Sequence, residues 1–325
     1  MVTAPTCLVT GATGFIGGAV CRAFSRERRV LGVGRREFQG GVSVNFEYAS
    51  GDLAKDFDWT RLLKGIDVVV HCGARVHIFD DRSDNPLQAF RLVNVDGTVA
   101  LARQSAALGV RRFIFLSSIG VHGSGTSGRP YRFDDTPEPH SPYAISKLEA
   151  EIALRDIARD TGMEVVCIRP PLVYGPDAPG NFASLLGLMA SGIPLPLASV
   201  TQNRRSFVFV ENLVSLIECC IEHPAAANQT FLVSDDESLS TVSLLSRMGE
   251  ALGQPARLIP VPVRLLQMGA VLLGKRDLAQ SLCGSLEVDI GKTRELLGWR
   301  PPISVDEGLR RTAEHWFALQ TRSRY

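Results

Sequence analysis

The chain has 325 residues, enough for one large domain or two modest ones with a real core. Its composition, 45% hydrophobic and 21% charged, is that of a globular protein, and a formal net charge of +1 excludes a strong overall field for nucleic acid or an anionic surface. Seven cysteines without CxxC or zinc spacing point away from a disulfide framework and from a metal centre, and suit a reducing compartment.

Cys7–Thr10 reads as a strand that runs into TGATGFIG, residues 10 to 17, and then into a helix over Phe15–Arg26. Gly11, Gly14 and Gly17 recur every third residue on that turn, with Thr13, Phe15 and Ile16 between and beside them. Glycine lets the backbone turn tightly and approach a pyrophosphate, and the helix that starts there offers free N–H groups to it. Val30–Gly34 is the next strand and Phe46–Tyr48 a short one, followed by Gly51-Asp52-Leu53. Ile66–Cys72 is an unbroken apolar run, as a strand buried on both faces of a parallel sheet requires. A long helix is predicted over Pro86 to Leu108, a strand over Phe113–Ser117, a helix over Ser141–Thr161 and a strand over Val165–Arg169. This is the α/β pattern of a Rossmann-type, doubly wound parallel sheet.

After Arg169 the rhythm breaks at Pro170 and Pro171, and Pro and Gly are dense from Gly175 to Pro196. Phe207–Val210 and Phe231–Val233 read as short strands, and the chain beyond Ser240 as mostly helical. The expected division is a dinucleotide-binding domain over 1–172, to which the chain returns at about 206–234, and a smaller, mostly helical substrate lobe over 173–325. Leu265–Gly274 is too short to span a membrane, and reads either as a buried helix or as a surface contact for a partner or a membrane. The first residues enter a strand at once, so a cytoplasmic location is expected.

Tyr143 and Lys147 stand four residues apart on a predicted helix, which places both on one face. A nearby ammonium favours the phenolate, so the pair is a candidate acid and base near neutrality. Ser117 and Ser118 end the strand FIFLSS, where open α/β sheets bind ligands, and the Ser118 hydroxyl can hydrogen-bond an oxygen whose charge changes.

With these residues in place the chain resembles the extended short-chain dehydrogenase/reductase family, in particular its nucleotide-sugar branch. The stretches that carry the resemblance are TGATGFIG, Gly51-Asp52-Leu53, His71-Cys72-Gly73-Ala74, Asn94-Val95-Asp96-Gly97-Thr98, SSIGVHG, YAISK and RPPLVYGP. The resemblance implies that Ser118, Tyr143 and Lys147 form the catalytic set. It implies that Asp52 and Leu53 contact adenine, that Gly73 and Ala74 line the cofactor path, and that Ser117 belongs to the cofactor site. Asn94 falls in the proton-relay or cofactor-ribose region, and Pro170 backs the nicotinamide. The chain departs from many relatives at Gly73, where they carry Ala, and at His122, where they carry Tyr.

The second strand ends Gly34-Arg35-Arg36, with glycine where NAD-users place an acid for the ribose 2′-hydroxyl. A guanidinium suits a 2′-phosphate, which favours NADP(H); a solvated basic turn that leaves NAD(H) acceptable is the alternative. In the second lobe Arg205 resembles the family's diphosphate arginine and Asn181, with Phe182, the residue that opens a helix over the same group. Leu195 and Leu197 resemble the segment beside the nucleobase, and Arg276 a second diphosphate arginine.

Ile119-Gly120 follows Ser118 where dehydratases carry acidic residues, which leaves a 4-keto reductase or a 4-epimerase of a UDP-sugar. Ala74-Arg75-Val76-His77 with Asp84-Asn85-Pro86-Leu87, NRRSF and SLEVDIGKTRELLGW resemble bacterial surface-polysaccharide enzymes that reduce UDP-2-acetamido-2,6-dideoxy-4-hexulose at C4. The sequence reading therefore expects a reductase. Its alternatives are a UDP-hexose or UDP-N-acetylhexosamine 4-epimerase with bound NAD and, beyond that, a non-catalytic NADP-binding sensor. A homodimer is expected from the family's habit of pairing through the helices at 86–108 and 141–161, and no nucleic-acid partner.

Overall fold

The computed structural model describes residues 4–38, 43–55, 57–76, 85–274 and 276–322. Ten strands are described: β1 (Cys7–Thr10), β2 (Val30–Gly34), β3 (Phe46–Ser50), β4 (Val68–His71), β5 (Arg112–Leu116), β6 (Glu164–Arg169), β7 (Leu172–Tyr174), β8 (Arg205–Phe209), β9 (Thr230–Leu232) and β10 (Ser238–Leu239). The first six and β9 form a parallel sheet in the order β3-β2-β1-β4-β5-β6-β9. β1 lies between β2 and β4, with Thr10 opposite Val33 and His71.

The unbroken apolar runs have a simple cause: both faces of this sheet are covered. Cys7, Val9, Val68, Val70, Ile114 and Val166 point into one core, and their neighbours Leu8, Val69, Phe113, Phe115, Val165 and Cys167 into another. A strand with period-two side chains and two dry faces must be apolar at every position. α1 (Phe15–Phe24) contributes Val20 and Phe24 to the first core. Beyond the short α2 (Thr60–Leu63) and α3 (Pro86–Arg91), the second is covered by Leu101 of α4 (Gly97–Ala107) and Leu154 of α5 (Pro142–Thr161). This is the Rossmann-type architecture expected.

α5 has clear ends. Ser141 caps it by accepting from the Ala144 N–H at 3.2 Å, Pro142 fills the first turn, and Gly162 closes it at φ +74°. The helix expected over 86–108 is not continuous. α3 and α4 are separated by a π-turn over Leu92–Asp96. At Gly97 the backbone is pressed against Leu53, whose carbonyl oxygen lies 2.3 Å from where a Cβ would be. The wider turn carries the chain past Leu53 and turns Asn94 inward, where it is 1% exposed.

After β6 come α6 (Asn181–Ala190), α7 (Val210–Glu222), α8 (Thr241–Ala251), α9 (Val263–Leu272), α10 (Arg276–Cys283), α11 (Gly291–Leu297) and α12 (Val305–Arg322). They enclose a further core built on Tyr174, Phe182, Phe209, Leu245 and Leu309. β7, which the two prolines before it conceal in the sequence, pairs parallel with β8, and β10 pairs antiparallel with β8, so Phe207 is not in the main sheet. The return expected at 206–234 is made by α7, which packs on α1, and by β9. Leu286, Val288, Ile290, Leu297 and Trp299 also enter the first core, so the division at 172/173 does not part the chain into two separate bodies. α9 has no buried residue, which excludes the buried-helix reading of Leu265–Gly274.

Candidate active site

The glycine turn is tight because nothing larger fits. A Cβ on Gly17 would meet the Gly11 carbonyl oxygen at 2.2 Å, and one on Gly11, at φ +67°, would meet the Gly73 nitrogen at 2.8 Å. Gly14 is the N-cap of α1 with no side chain to close it, and the first turn carries no acid. A cavity of about 480 Å³ opens there, lined by Thr13, Gly14, Phe15, Arg22, Arg36 and Asp177, among others. An open helix terminus over a cavity of this size fits the diphosphate of a dinucleotide. Ile16 packs inward on the first core, and Arg35 is exposed and does not line the cavity. Arg36 does, and so does Glu37. Glu37, Arg22 and Asp177, which no sequence motif marks, thus stand at the glycine turn beside the expected residues.

Beside the turn, Leu53 is wedged between Gly73 and Gly97. A Cβ at position 73 would stand 2.8 Å from Leu53 Cδ1, so an alanine there requires that side chain to shift. Asp52 accepts from the Ala54 N–H at 3.0 Å, and Ala74 is half-buried. The Gly73 N–H donates to Thr10 Oγ1 at 3.0 Å, and Thr10 lies 2.6 Å from His71 Nδ1. His71 Nε2 is 2.9 Å from Thr98 Oγ1, which itself donates to the Asn94 carbonyl at 2.8 Å. Thr98 therefore accepts from His71, which places a ring proton on Nε2. Burial pushes its pKa down to about 3, with the Lys147 charge adding to that.

The Asn94 side chain is fully used within the protein. Its Oδ1 accepts from the Arg75 N–H at 2.8 Å, and its Nδ2 donates to the Arg75 carbonyl and to Ser146 Oγ, each at 3.0 Å. Ser146 in turn donates to the Tyr143 carbonyl at 2.7 Å. Asn94 thus ties the segment after β4 to the start of α5.

Tyr143 and Lys147 share one face of α5, and Ser118 hydrogen-bonds Tyr143. Ser118 caps a single 3₁₀ turn over Ile119–Val121, its Oγ accepting from the Gly120 N–H at 3.1 Å. Tyr143 stacks edge-on against Phe90 at 6.1 Å. Loss of solvation around the phenol pushes its pKa up to about 12, against a hydrogen bond with Ser118 that pulls it down. Lys147 Nζ donates to the Leu116 carbonyl at 2.8 Å and stands 5.9 Å from the centre of the Tyr143 ring. Burial lowers the Lys147 ammonium to about 8. In the free protein burial is the larger effect on the phenol and leaves it above its ordinary value.

One face of α5 carries a third group, Glu151, four residues beyond Lys147. It is wholly buried and accepts from Ser117 Oγ at 2.6 Å, from Arg169 Nε and Nη2 at 2.9 and 2.6 Å, and from Arg155 Nη2 at 2.7 Å. Burial pushes its carboxyl up, but the Arg169 guanidinium and these donors outweigh it and hold it below the ordinary value. Arg169 also reaches His122 Nε2 at 2.8 Å, and His122 lies flat against Tyr131. The Ser117 hydroxyl is thus committed to Glu151. Pro170 is buried and its carbonyl accepts from the Ile119 N–H at 2.9 Å, which joins the ends of β5 and β6. The Tyr143–Lys147–Glu151 spacing could have revealed Glu151.

In the second lobe Arg205 opens β8, donates to the Gly284 carbonyl at 3.3 Å, and has its pKa lowered by burial. Leu195 and Leu197 are buried in the second lobe's core. Asn181 and Arg276 are the first residues of α6 and α10; their side chains, and residues His77 and Asp84, lie outside what is described. Among the described residues no cluster of His, Cys, Asp and Glu could hold a metal ion, and no helix is long and apolar enough to cross a membrane.

Residues 7–234 match the NAD dependent epimerase/dehydratase family. The chain belongs to that family. Within this group of short-chain dehydrogenase/reductases it is similar to a UDP-glucose 4-epimerase of Vibrio cholerae, with 43% identity over 97% of this chain and 96% of the relative. It is 30% identical to a UDP-glucose 4-epimerase of Mycolicibacterium smegmatis, over 94% of this chain and 97% of that one. Its fold is that of the Thermotoga maritima UDP-glucose 4-epimerase solved with UDP-glucose, at a TM-score of 0.79 and 23% identity, covering 97% of this chain and 99% of the other.

Proposed function

We propose that this family member is a 4-epimerase of a UDP-hexose or UDP-N-acetylhexosamine that keeps NAD bound through its cycle. The observation that carries this reading is the 43% identity to the Vibrio cholerae UDP-glucose 4-epimerase, sustained over 97% of the chain. Bound NAD supplies a hydride acceptor and donor at C4 and, when oxidised, a positive charge that favours the Tyr143 phenolate. Tyr143 takes the proton of the 4-hydroxyl and later returns it. Ser118, already hydrogen-bonded to Tyr143, holds the C4 oxygen while its charge changes. Lys147 anchors the cofactor ribose. Arg205, with Asn181 and Arg276, holds the diphosphate, and the segment with Leu197 flanks the nucleobase. Such an arrangement leaves the 4-keto sugar free to present its other face before hydride and proton return.

Glu37 supports NAD, since a carboxylate in the cofactor cavity can accept from the ribose hydroxyls. Arg36 in the same cavity favours the second reading, an NADPH-dependent 4-keto reductase. Purified protein with its coenzyme content measured, then incubated with UDP-glucose and UDP-N-acetylglucosamine, separates the two. The C4 epimer formed without added coenzyme is the expected result. Coenzyme-free protein that makes no epimer but oxidises NADPH with UDP-2-acetamido-2,6-dideoxy-4-hexulose overturns it in favour of the reductase.

A further inference from the structure

α9 is apolar on two opposite sides. Val263 and Leu266 pack on the second lobe's core. On the other side Leu265, Met268, Val271 and Leu272 are 57%, 62%, 58% and 85% exposed, and Leu273 just beyond the helix is 75% exposed. A helix apolar all round is ordinarily buried; this one leaves a continuous outer stripe at the spacing 265, 268, 272. Leu272 and Leu273 lie at the tip, where no polar residue interrupts them until Lys275.

The charge around the stripe is one-sided. Residues 251–276 contain Arg257, Arg264, Lys275 and Arg276 and no Asp or Glu, in a chain whose formal net charge is only +1. Arg257 and Arg264 are exposed. The nearest acids in the sequence, Glu250 and Asp277, lie only at the ends of this segment, and an apolar stripe flanked by the exposed Arg257 and Arg264 is complementary to one kind of surface, an apolar layer under negative head groups. A second copy of the chain fits poorly: a two-fold contact would set this patch against itself and oppose like charges.

We infer that α9 is an anchor that docks on the surface of an anionic phospholipid bilayer, with Leu265, Met268, Leu272 and Leu273 entering the head-group boundary and Arg264 on the lipid phosphates. The helix follows directly on segment 257–259, which pairs with the segment around Leu195: the Leu195 N–H donates to the Arg257 carbonyl and the Ile259 N–H to the Leu195 carbonyl, both at 2.8 Å. Docking therefore holds the second lobe, rather than the dinucleotide turn, against the membrane. The inference is independent of which reaction the site performs.

The test is co-sedimentation of the full-length protein with vesicles of phosphatidylglycerol and phosphatidylethanolamine, and with vesicles of phosphatidylcholine. The protein should pellet with the anionic vesicles at low salt, and at least about tenfold less with the neutral ones. The double variant Met268→Glu/Leu272→Glu should lose at least about tenfold in vesicle affinity. Arg264→Glu should lose about fivefold or more, by the usual worth of one cation at such a surface. Both variants change exposed positions, so melting temperature and turnover in solution should stay as in the parent. The inference fails if the parent stays in the supernatant, if neutral vesicles bind it equally, or if the double variant pellets unchanged. It fails equally if the double variant turns an oligomer into a monomer while no vesicle binding occurs, since the stripe is then an interface between copies.

Discussion

At the scale of single residues, the site holds a phenol that burial keeps protonated and an ammonium that burial makes uneasy. Tyr143→Phe removes only the hydroxyl and keeps the ring against Phe90, so unfolding stability should change by no more than about 1 kcal/mol while turnover falls at least ~100-fold. A steady-state assay beside a denaturant titration checks both; near-parent turnover would remove Tyr143 from the chemistry. Lys147 gives a pH signature. Its ammonium is lowered from 10.5 to about 8 in the fold. Below pH 8 both states are protonated and the fold carries the full burial penalty, about 3 kcal/mol at 1.4 kcal/mol per unit. Between 8 and 10.5 the unfolded chain binds more protons than the folded one, so stability from this group rises with pH. The parent should therefore gain on Lys147→Met across that window in paired denaturant titrations, and a constant difference would mean that the ammonium is not strained. Glu151 is the opposite case, a buried charge with every oxygen served. Glu151→Gln sets an amide N–H against the Arg169 and Arg155 donors and should cost roughly 3 kcal/mol. The spacing that exposed Tyr143 and Lys147 extends to Glu151, but its partner Arg169 comes from another strand, and no local pattern announces such a pair.

At the scale of elements, the glycine turn was legible because its constraint is local: three glycines at a fixed period each answer a backbone contact within the same turn or its neighbour strand. Gly17→Ala would drive a Cβ into the Gly11 carbonyl, which is backbone and cannot rotate away. The first turn of α1 must lift off β1, with an expected loss of about 1–3 kcal/mol and at least a tenfold loss in NAD affinity by titration calorimetry. Gly109→Ala is the control: at φ +79° with nothing within 4 Å it carries only the strain of a left-handed alanine, about 1 kcal/mol, and should leave NAD affinity intact. Equal losses of NAD affinity in the two variants would deny the turn its role. The π-turn at 92–96 was not legible, because the apolar period runs on through it and its causes, Leu53 against Gly97 and His71 against Thr98, are distant in sequence. β7 and β10 were hidden for a different reason: β7 has three residues beside two prolines and β10 only two, too short for any period to show. α9 misleads in the other direction, since an apolar composition does not tell whether the core or another surface takes the helix.

At the scale of the whole molecule, the lobes share strands and side chains. The alternation of strand and helix up to Arg169 identifies the parallel sheet, but the later segments that rejoin it lack that rhythm, and only contact reveals where they go. β8 shows why no clean boundary exists: Val208 lies in the first core while Phe207 and Phe209 lie in the second lobe's core. Ala19 and Val173 touch both cores. Lobes that share strands and side chains cannot melt one without exposing the other, so heating should give one cooperative transition rather than two. If NAD occupies the cavity at the glycine turn, as proposed, its binding acts on the entire chain although that cavity is built largely from the first lobe. NAD added to coenzyme-free protein at 100 times its Kd should contribute about 2.7 kcal/mol to the folded state. On the scale of about 2–4 °C per kcal/mol for large domains, the single transition should move up by roughly 5–11 °C as a unit. Differential scanning calorimetry with and without NAD decides it. Two resolved transitions, of which only one moves, would mean that the shared strand and side chains couple the lobes too weakly for cofactor binding at the glycine turn to stabilise the substrate lobe.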